Sequence, residues 1–248
     1  EEMKSGNNEY YKKLLYVKIL ADYPWTSVND GDIFSMYHHN INKWKEIMIS
    51  ANDKLNNKVY GHIECKNTII ELIGKWFSNP SSLGKAIGLC GPPGVGKTLI
   101  AKGLGSALDL PFSQINLGGI EDGAVLTGHS ITYSAAVPGL IIKKMVEMGK
   151  PRCIMFFDEL DKAGYHHGRN EIYDILIHAI DPESNSEFND KFFQDVRFPI
   201  NKVLFIFSFN DLSKIDVILR DRIKIIDVEA YSLEDKINIT QNFIIKEL

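Results

Sequence analysis

The stretch "IGLCGPPGVGKTLIAK", residues 87–102, decides the fold. Its apolar opening, IGLC, reads as a buried strand, a glycine-rich turn follows, and TLIAK starts a helix. Inside it, Gly91-Pro92-Pro93-Gly94-Val95-Gly96-Lys97-Thr98 fits Gly-x-x-x-x-Gly-Lys-[Ser/Thr] between a strand and a helix, the context that pattern requires. Glycines let the backbone wrap so that several N–H groups face a phosphate, and the helix N-terminus adds a favourable dipole. Lys97 is expected to reach the β- and γ-phosphates and the Thr98 hydroxyl to coordinate Mg²⁺. The stretch predicts a nucleotide site.

Outward from it, short apolar runs recur between helical segments: "KAIGLC", "FSQINL", "CIMFFD", "VLFIFSF" and "IKIIDV". Continuous apolar strands alternating with helices imply a mostly parallel sheet covered on both faces, a three-layer α/β domain. We place this domain at residues 56–229. Before it, residues 1–55 read as a helical N-terminal arm. Residues 7–22 and "YHHNINKWKEIMISANDKL" carry helical spacing, and "YPWTSVNDGD" breaks it with Pro24 and Gly31. Ile69, Ile70, Ile73, Trp76 and Phe77 fall on one helical face and read as packing. After the domain, residues 230–248 open with Ser232, Glu234 and Asp235, a good helix start. They read as the first helix of a further helical subdomain.

Ligands of open parallel sheets bind at the carboxyl ends of the strands, so residues there are candidates. "CIMFFDELDKAG" places Asp158 at a strand end, where it can hold the Mg²⁺ shell, and Glu159 next to it, where it can polarise an attacking water. "VLFIFSFN" places Asn210 within reach of the γ-phosphate or that water. "ILRDRIKII" places Arg220 and Arg222 before the last strand; an arginine from a neighbouring subunit can stabilise charge on a transferring phosphoryl group.

The 248 residues are 44% hydrophobic and 24% charged, as in a water-soluble globular protein, and the formal net charge of −4 does not indicate a nucleic-acid partner. Cys65, Cys90 and Cys153 are scattered and odd in number, and read as core thiols in a reducing compartment. No stretch approaches the roughly 20 apolar residues a membrane span needs. The N-terminus lacks the apolar core of a signal peptide. The expected setting is intracellular and soluble, and a chain beginning with Glu1 reads as a piece of a longer protein.

Together these residues resemble the AAA+ module of Lon-family ATP-dependent proteases, from about residue 56 to 248, with a weaker echo at "YPW". The resemblance rests on "GPPGVGKTLIAK", "INLGGIEDGAVLTGH", "TYSAAVPGLI", "FDELDKAG", "IDPESN" and "KVLFIFSFND". It implies ATP and Mg²⁺ as cofactors, with Gly91 through Leu99 on the nucleotide and Tyr60 and Gly61 beside the adenine. It makes Lys97 and Thr98 the phosphate and Mg²⁺ ligands, Asp158 and Glu159 the metal and water residues, Asn210 a sensor of the γ-phosphate, and Arg222 a finger acting on the neighbouring subunit. It also puts Tyr133 and Ser134 on a loop lining the pore of a homo-oligomeric, hexameric ring that draws in unfolded polypeptide. Four positions depart from the family pattern: Ser134 replaces a hydrophobic residue, Ser130-Ile131 a basic pair, and Lys224 an acidic residue. The peptide-cleaving residues of such proteases have no counterpart in this chain. A non-proteolytic remodeller with the same engine, a nucleotide-stabilised scaffold and a nucleic-acid motor are the competing readings. A small GTPase lacks support, because no Asn-Lys-x-Asp motif is present.

Overall fold

The computed structural model describes residues 8–25, 36–37, 40–78, 86–164 and 170–245. The expected turn over 26–32, the histidines 38–39 and the Phe77 side chain lie outside them. Five parallel strands form the central sheet: β1 (Ala86–Cys90), β2 (Phe112–Asn116), β3 (Ile154–Asp158), β6 (Leu204–Phe209) and β7 (Lys224–Asp227). Their order is β2-β3-β6-β1-β7. A short antiparallel pair, β4 (Phe188–Asn189) and β5 (Arg197–Phe198), stands apart from this sheet.

Strand side chains alternate between faces, and the two faces have separate cores. Ile87, Leu89, Ile154, Phe156, Leu204 and Ile206 point to one. There they meet α2 (Ile41–Lys58), α3 (Ile63–Ser78) and α4 (Lys97–Leu108) through Leu55, Ile69, Ile73, Trp76, Ile100 and Leu104. Met155, Phe157, Phe205, Phe207 and Phe209 point to the other. That face is covered by α1 (Asn8–Asp22), α6 (Leu140–Met148) and α7 (Glu171–Ile180). The mixed α/β layering and the parallel sheet agree with the expected fold class.

The described helices of residues 1–55 lie directly on both layers. Tyr16 of α1 packs its ring 5.0 Å from Phe193, and Tyr23 donates a 3.0 Å hydrogen bond to the Pro199 carbonyl. On the opposite face, Leu55 of α2 is fully buried. Helix starts follow local chemistry: Asn40 accepts from the Lys43 N–H ahead of α2, and Asn170 from the Tyr173 N–H ahead of α7. Ahead of α9 (Leu233–Ile239), Ser232 and Asp235 make a reciprocal capping box. Among the described residues no helix is long and apolar enough to cross a membrane.

Candidate functional site

Because β3, β6 and β1 are neighbours in a parallel sheet, about 4.8 Å apart, their carboxyl ends fall side by side. Three candidate elements, far apart in sequence, are thereby brought together. The turn after β1, Asp158 and Glu159 after β3, and Asn210 after β6 enclose one cleft of about 450 Å³. Pro93, Gly94, Val95, Gly96, Lys97, Thr98 and Leu99 form one wall of it, and Lys162 and Ser208 join the other.

The turn has its shape because of its glycines. Gly94 and Gly96 sit at φ of 79° and 87°, the left-handed region that side chains resist. At Gly91 a Cβ would lie 2.1 Å from the Val228 carbonyl oxygen, so only glycine lets β1 leave the sheet there. Gly91 and Pro92 lie behind the cleft wall, and both direct their carbonyls at Lys97. The Lys97 ammonium donates to the Gly91 carbonyl, to the Pro92 carbonyl at 3.0 Å and to Asn210 Oδ1 at 2.7 Å. Burial lowers its pKa, with nearby Asp161, Cys90 and Asp158 opposing that shift.

Asp158 is fixed by a hydroxyl donor from Ser208 and by the Glu159 N–H at 3.1 Å, both on Oδ1; Oδ2 accepts from the Gln114 amide at 3.1 Å. Glu159 has a left-handed backbone, φ 58°, which turns the chain sharply off β3. Its Oε1 is paired with Lys162, and that contact raises the Lys162 pKa. The other oxygen, Oε2, lies against Gly118, where a Cβ would be only 2.2 Å away. Asp161 accepts the backbone N–H groups of Asn210 (3.1 Å) and Asp211 (3.2 Å), bracing the segment that presents the Asn210 side chain.

The Thr98 hydroxyl and Asp158 carboxylate face the same cleft and are oxygen donors of the kind Mg²⁺ takes. Lys97 and the positive-φ turn suit a chain of phosphates, so the residues present fit a magnesium–nucleotide.

Other candidates lie elsewhere. Tyr60 and Gly61 do not line the phosphate cleft. They sit across the turn, where the Tyr231 hydroxyl donates to the Tyr60 carbonyl at 2.9 Å. Arg222 is exposed and follows α8 (Val217–Asp221), just ahead of β7, whose Lys224 pairs with Ile87. It is therefore at the end of the sheet remote from the cleft. Arg220, half-buried, does not line the cleft either. Cys65 and Cys153 are buried and Cys90 is half-buried.

Tyr133 is 67% exposed and lies on a loop between Gly128 and Gly139. With Ser134, His129, Ser130 and Lys191 it lines a separate hollow of about 690 Å³. Fully buried Asp190 holds the Gly139 end of the loop, its Oδ2 accepting the Gly139 N–H at 2.7 Å, and crowds the other end, where a Cβ on Gly128 would fall 2.5 Å from its Oδ1. Burial pushes the Asp190 pKa up to about 6. From α1, the Lys12 ammonium donates to the Ile131 and Tyr133 carbonyls, each at 3.0 Å.

Sequence reasoning missed Ser208, Asp161, Lys162, Gly118 and Asp190. Ser208 carried a signal, a lone hydroxyl inside the apolar run of β6.

The family model for ATPases associated with various cellular activities (AAA) matches residues 87–229, more than half of the chain. This chain belongs to the AAA ATPase family. Membership implies nucleotide binding. Over its whole length the chain is 45% identical to a Lon protease homolog of Acanthamoeba polyphaga mimivirus. It is 34% identical to a Lon protease of Malacoplasma penetrans, again over its whole length. Over 99% of its length it is 31% identical to a peroxisomal Lon protease homolog 2 of Spinacia oleracea. It spans only 24%, 30% and 26% of those three proteins, so it corresponds to their ATPase part.

Proposed function

We propose that this chain is the ATP-hydrolysing module of a Lon-like ATP-dependent protease, working in a homo-oligomeric ring that unfolds polypeptide and threads it through a pore. The observation that carries this reading is the convergence of Lys97, Thr98, Asp158, Glu159 and Asn210 on one cleft at the carboxyl ends of three adjacent strands.

In this reading the backbone of residues 93–98 cradles the phosphates, and Lys97 exchanges its carbonyl partners for phosphate oxygens. Thr98 and Asp158 would hold Mg²⁺, which when bound neutralises phosphate charge. Glu159 accepts a proton as water oxygen attacks the γ-phosphorus; the bond to the β-phosphate oxygen breaks, releasing ADP and phosphate. Asn210 holds the γ-phosphate or the water in line. Arg222, too far from its own cleft, serves the site of the next copy, so turnover requires assembly. Tyr133 grips substrate by area and shape rather than sequence, which suits a translocator acting on many chains.

The departures at Ser130, Ile131 and Ser134 lie on the Tyr133 loop. They favour a second reading, a remodeller that unfolds proteins without cutting them. The test uses the full-length parent with ATP and a labelled unfolded protein, following acid-soluble peptides. ATP-dependent release supports the protease; no release from a preparation that hydrolyses ATP supports the remodeller. Lys97→Ala should abolish nucleotide binding, whereas Glu159→Gln should bind and not turn over. Normal turnover by Glu159→Gln would refute the water-activating assignment.

A further inference from the structure

Directly beneath the phosphate-binding turn lies a contact that the proposed chemistry does not use. His62 follows Gly61 in a pair of left-handed residues, at φ of 63° for Gly61 and 48° for His62. A left-handed conformation is uncommon outside glycine and persists where surrounding contacts fix it. Here it aims the imidazole at the turn, and Nε2 lies 2.9 Å from the Val95 carbonyl oxygen. A carbonyl only accepts, so Nε2 carries the proton and donates. Burial lowers the His62 pKa, with Lys66 adding to the shift and the Val95 contact, Asp235 and Glu229 opposing it.

The Val95 side chain is buried in the core shared with α3 and α4, so what His62 can set is the direction of the Val95 carbonyl. The peptide joining Val95 to Gly96 is trans, as are all described peptide bonds. In a trans peptide the C=O and N–H point in opposite directions. Holding the Val95 carbonyl toward His62 therefore turns the Gly96 N–H the other way. Gly96 lines the phosphate cleft. With φ at +87°, this residue has no side chain to lock the peptide, so the lock must come from outside.

His62 is held in turn by the segment leading into α9. The Tyr231 ring packs 4.5 Å from the imidazole, and its hydroxyl donates to the Tyr60 carbonyl at 2.9 Å. Burial pushes the Tyr231 pKa up to about 12, so the phenol stays a donor. Tyr231 immediately precedes Ser232, the N-cap of α9, and Asn238 within that helix donates to the Tyr60 hydroxyl at 3.3 Å.

We propose that His62 is a positioning residue: it orients the Val95–Gly96 peptide so that the Gly96 N–H faces the phosphates, and through Tyr231 it ties that orientation to the placement of α9. The inference rests on the nucleotide-site reading above. A shift of α9 would loosen Tyr231, release the imidazole and let the peptide rotate, weakening the grip on phosphate although neither His62 nor Tyr231 lines the cleft.

The test compares fluorescent ADP and ATP affinity and melting temperature for the full-length protein and its His62→Phe, His62→Gln, Tyr231→Leu and His62→Phe/Tyr231→Leu variants. Lys97→Ala serves as the site control. His62→Phe keeps a ring against Tyr231 but has no donor; His62→Gln restores an N–H. A hydrogen bond to a charged group is strong enough that losing its alignment should weaken binding about ten-fold in His62→Phe. His62→Gln should recover to within about two-fold, with melting temperature unchanged in both. The double variant should bind no worse than its weaker parent, because the two residues act in series. Wild-type affinity in His62→Phe overturns the proposal, as does a loss that His62→Gln fails to rescue while its melting temperature is intact. Independent, additive losses overturn the link to α9. If wild type itself binds no nucleotide, or Lys97→Ala binds as well as wild type, the nucleotide-site reading falls and takes this one with it.

Discussion

Gly118→Ala offers a direct test of the water-activating role, because it moves Glu159 without altering it. An added Cβ would lie 2.2 Å from Glu159 Oε2, 3.3 Å from its Cδ and 3.2 Å from Asn116 Oδ1. The carboxylate must retreat by roughly 1.2 Å to reach the 3.4 Å of ordinary contact. The backbone itself tolerates the change, since Gly118 is not among the glycines with a left-handed φ. Its own N–H bond to Asn116 Oδ1, at 2.9 Å, need give by only a few tenths of an ångström. Displacing a reacting group by about 1 Å costs on the order of a hundred-fold in rate, or about 2.7 kcal/mol of barrier. Residues 91–98 are untouched, so nucleotide affinity should stay within about two-fold. The assay is steady-state phosphate release by the assembled full-length protein beside a fluorescent-nucleotide titration. Turnover within about two-fold of wild type would refute the placement of Glu159 as the water-activating group. A parallel loss of affinity would mean that the segment after β2 supports the phosphate turn as well.

Asp190→Asn should destabilise by about 1–3 kcal/mol, because one of its two buried oxygens becomes a donor facing another N–H. The wild-type carboxyl, raised by burial to about 6 from 3.8, is stabilising when protonated. Its contribution is present below the unfolded value and lost as pH rises through 6, by up to about 3 kcal/mol. Melting curves between pH 4 and 7 should therefore slope more steeply downward for wild type than for Asp190→Asn; parallel slopes would refute the assignment. Arg222→Ala protein should hydrolyse ATP poorly alone, and mixing it with Glu159→Gln protein should restore part of the activity through clefts that combine an intact Glu159 with a neighbour's Arg222. Absence of restoration in mixed rings would count against action between subunits.

The phosphate turn was legible because everything that makes it is local: an apolar strand, glycines where the backbone must turn left-handed, and a helix behind them. Asp158 and Asn210 were legible one step further, because apolar runs end there and ligands of parallel sheets gather at such ends. What the spacing of residues does not carry is neighbour order. That β6 lies between β3 and β1 is what turns Ser208 toward Asp158 and Asn210 toward Lys97. His62 and Tyr231 were invisible for the same reason, since they meet only after the whole sheet has formed. The first helix was legible as a helix but not in its destination: its apolar face reads the same for an exposed arm as for a core element. Contacts such as the burial of Ile19 and the packing of Tyr16 on Phe192 and Phe193 decide between them.

The segment from Gly118 to Gly128 joins the two regions on which the proposed function depends. At its start, the space a Cβ would need is filled by Glu159; at its end, it is filled by Asp190 and by the Gly139 N–H, 2.9 Å away. Between them, the Ile120 carbonyl accepts the Gly164 N–H, and Gly123 sits where a Cβ would be 2.6 Å from Ile175. Gly118, Gly123 and Gly128 are held closely, whereas Gly119, Glu121 and Asp122 between them are exposed and a Cβ on Gly119 would meet nothing within 4 Å. The Tyr133 loop's other restraint, Lys12 on the Ile131 and Tyr133 carbonyls, comes from α1 and lies partly open to solvent. On the proposed reading, the Tyr133 loop is therefore held on one side by the buried Asp190 contact to Gly139 and on the other by this more exposed lysine, so the lysine side is the one that can give.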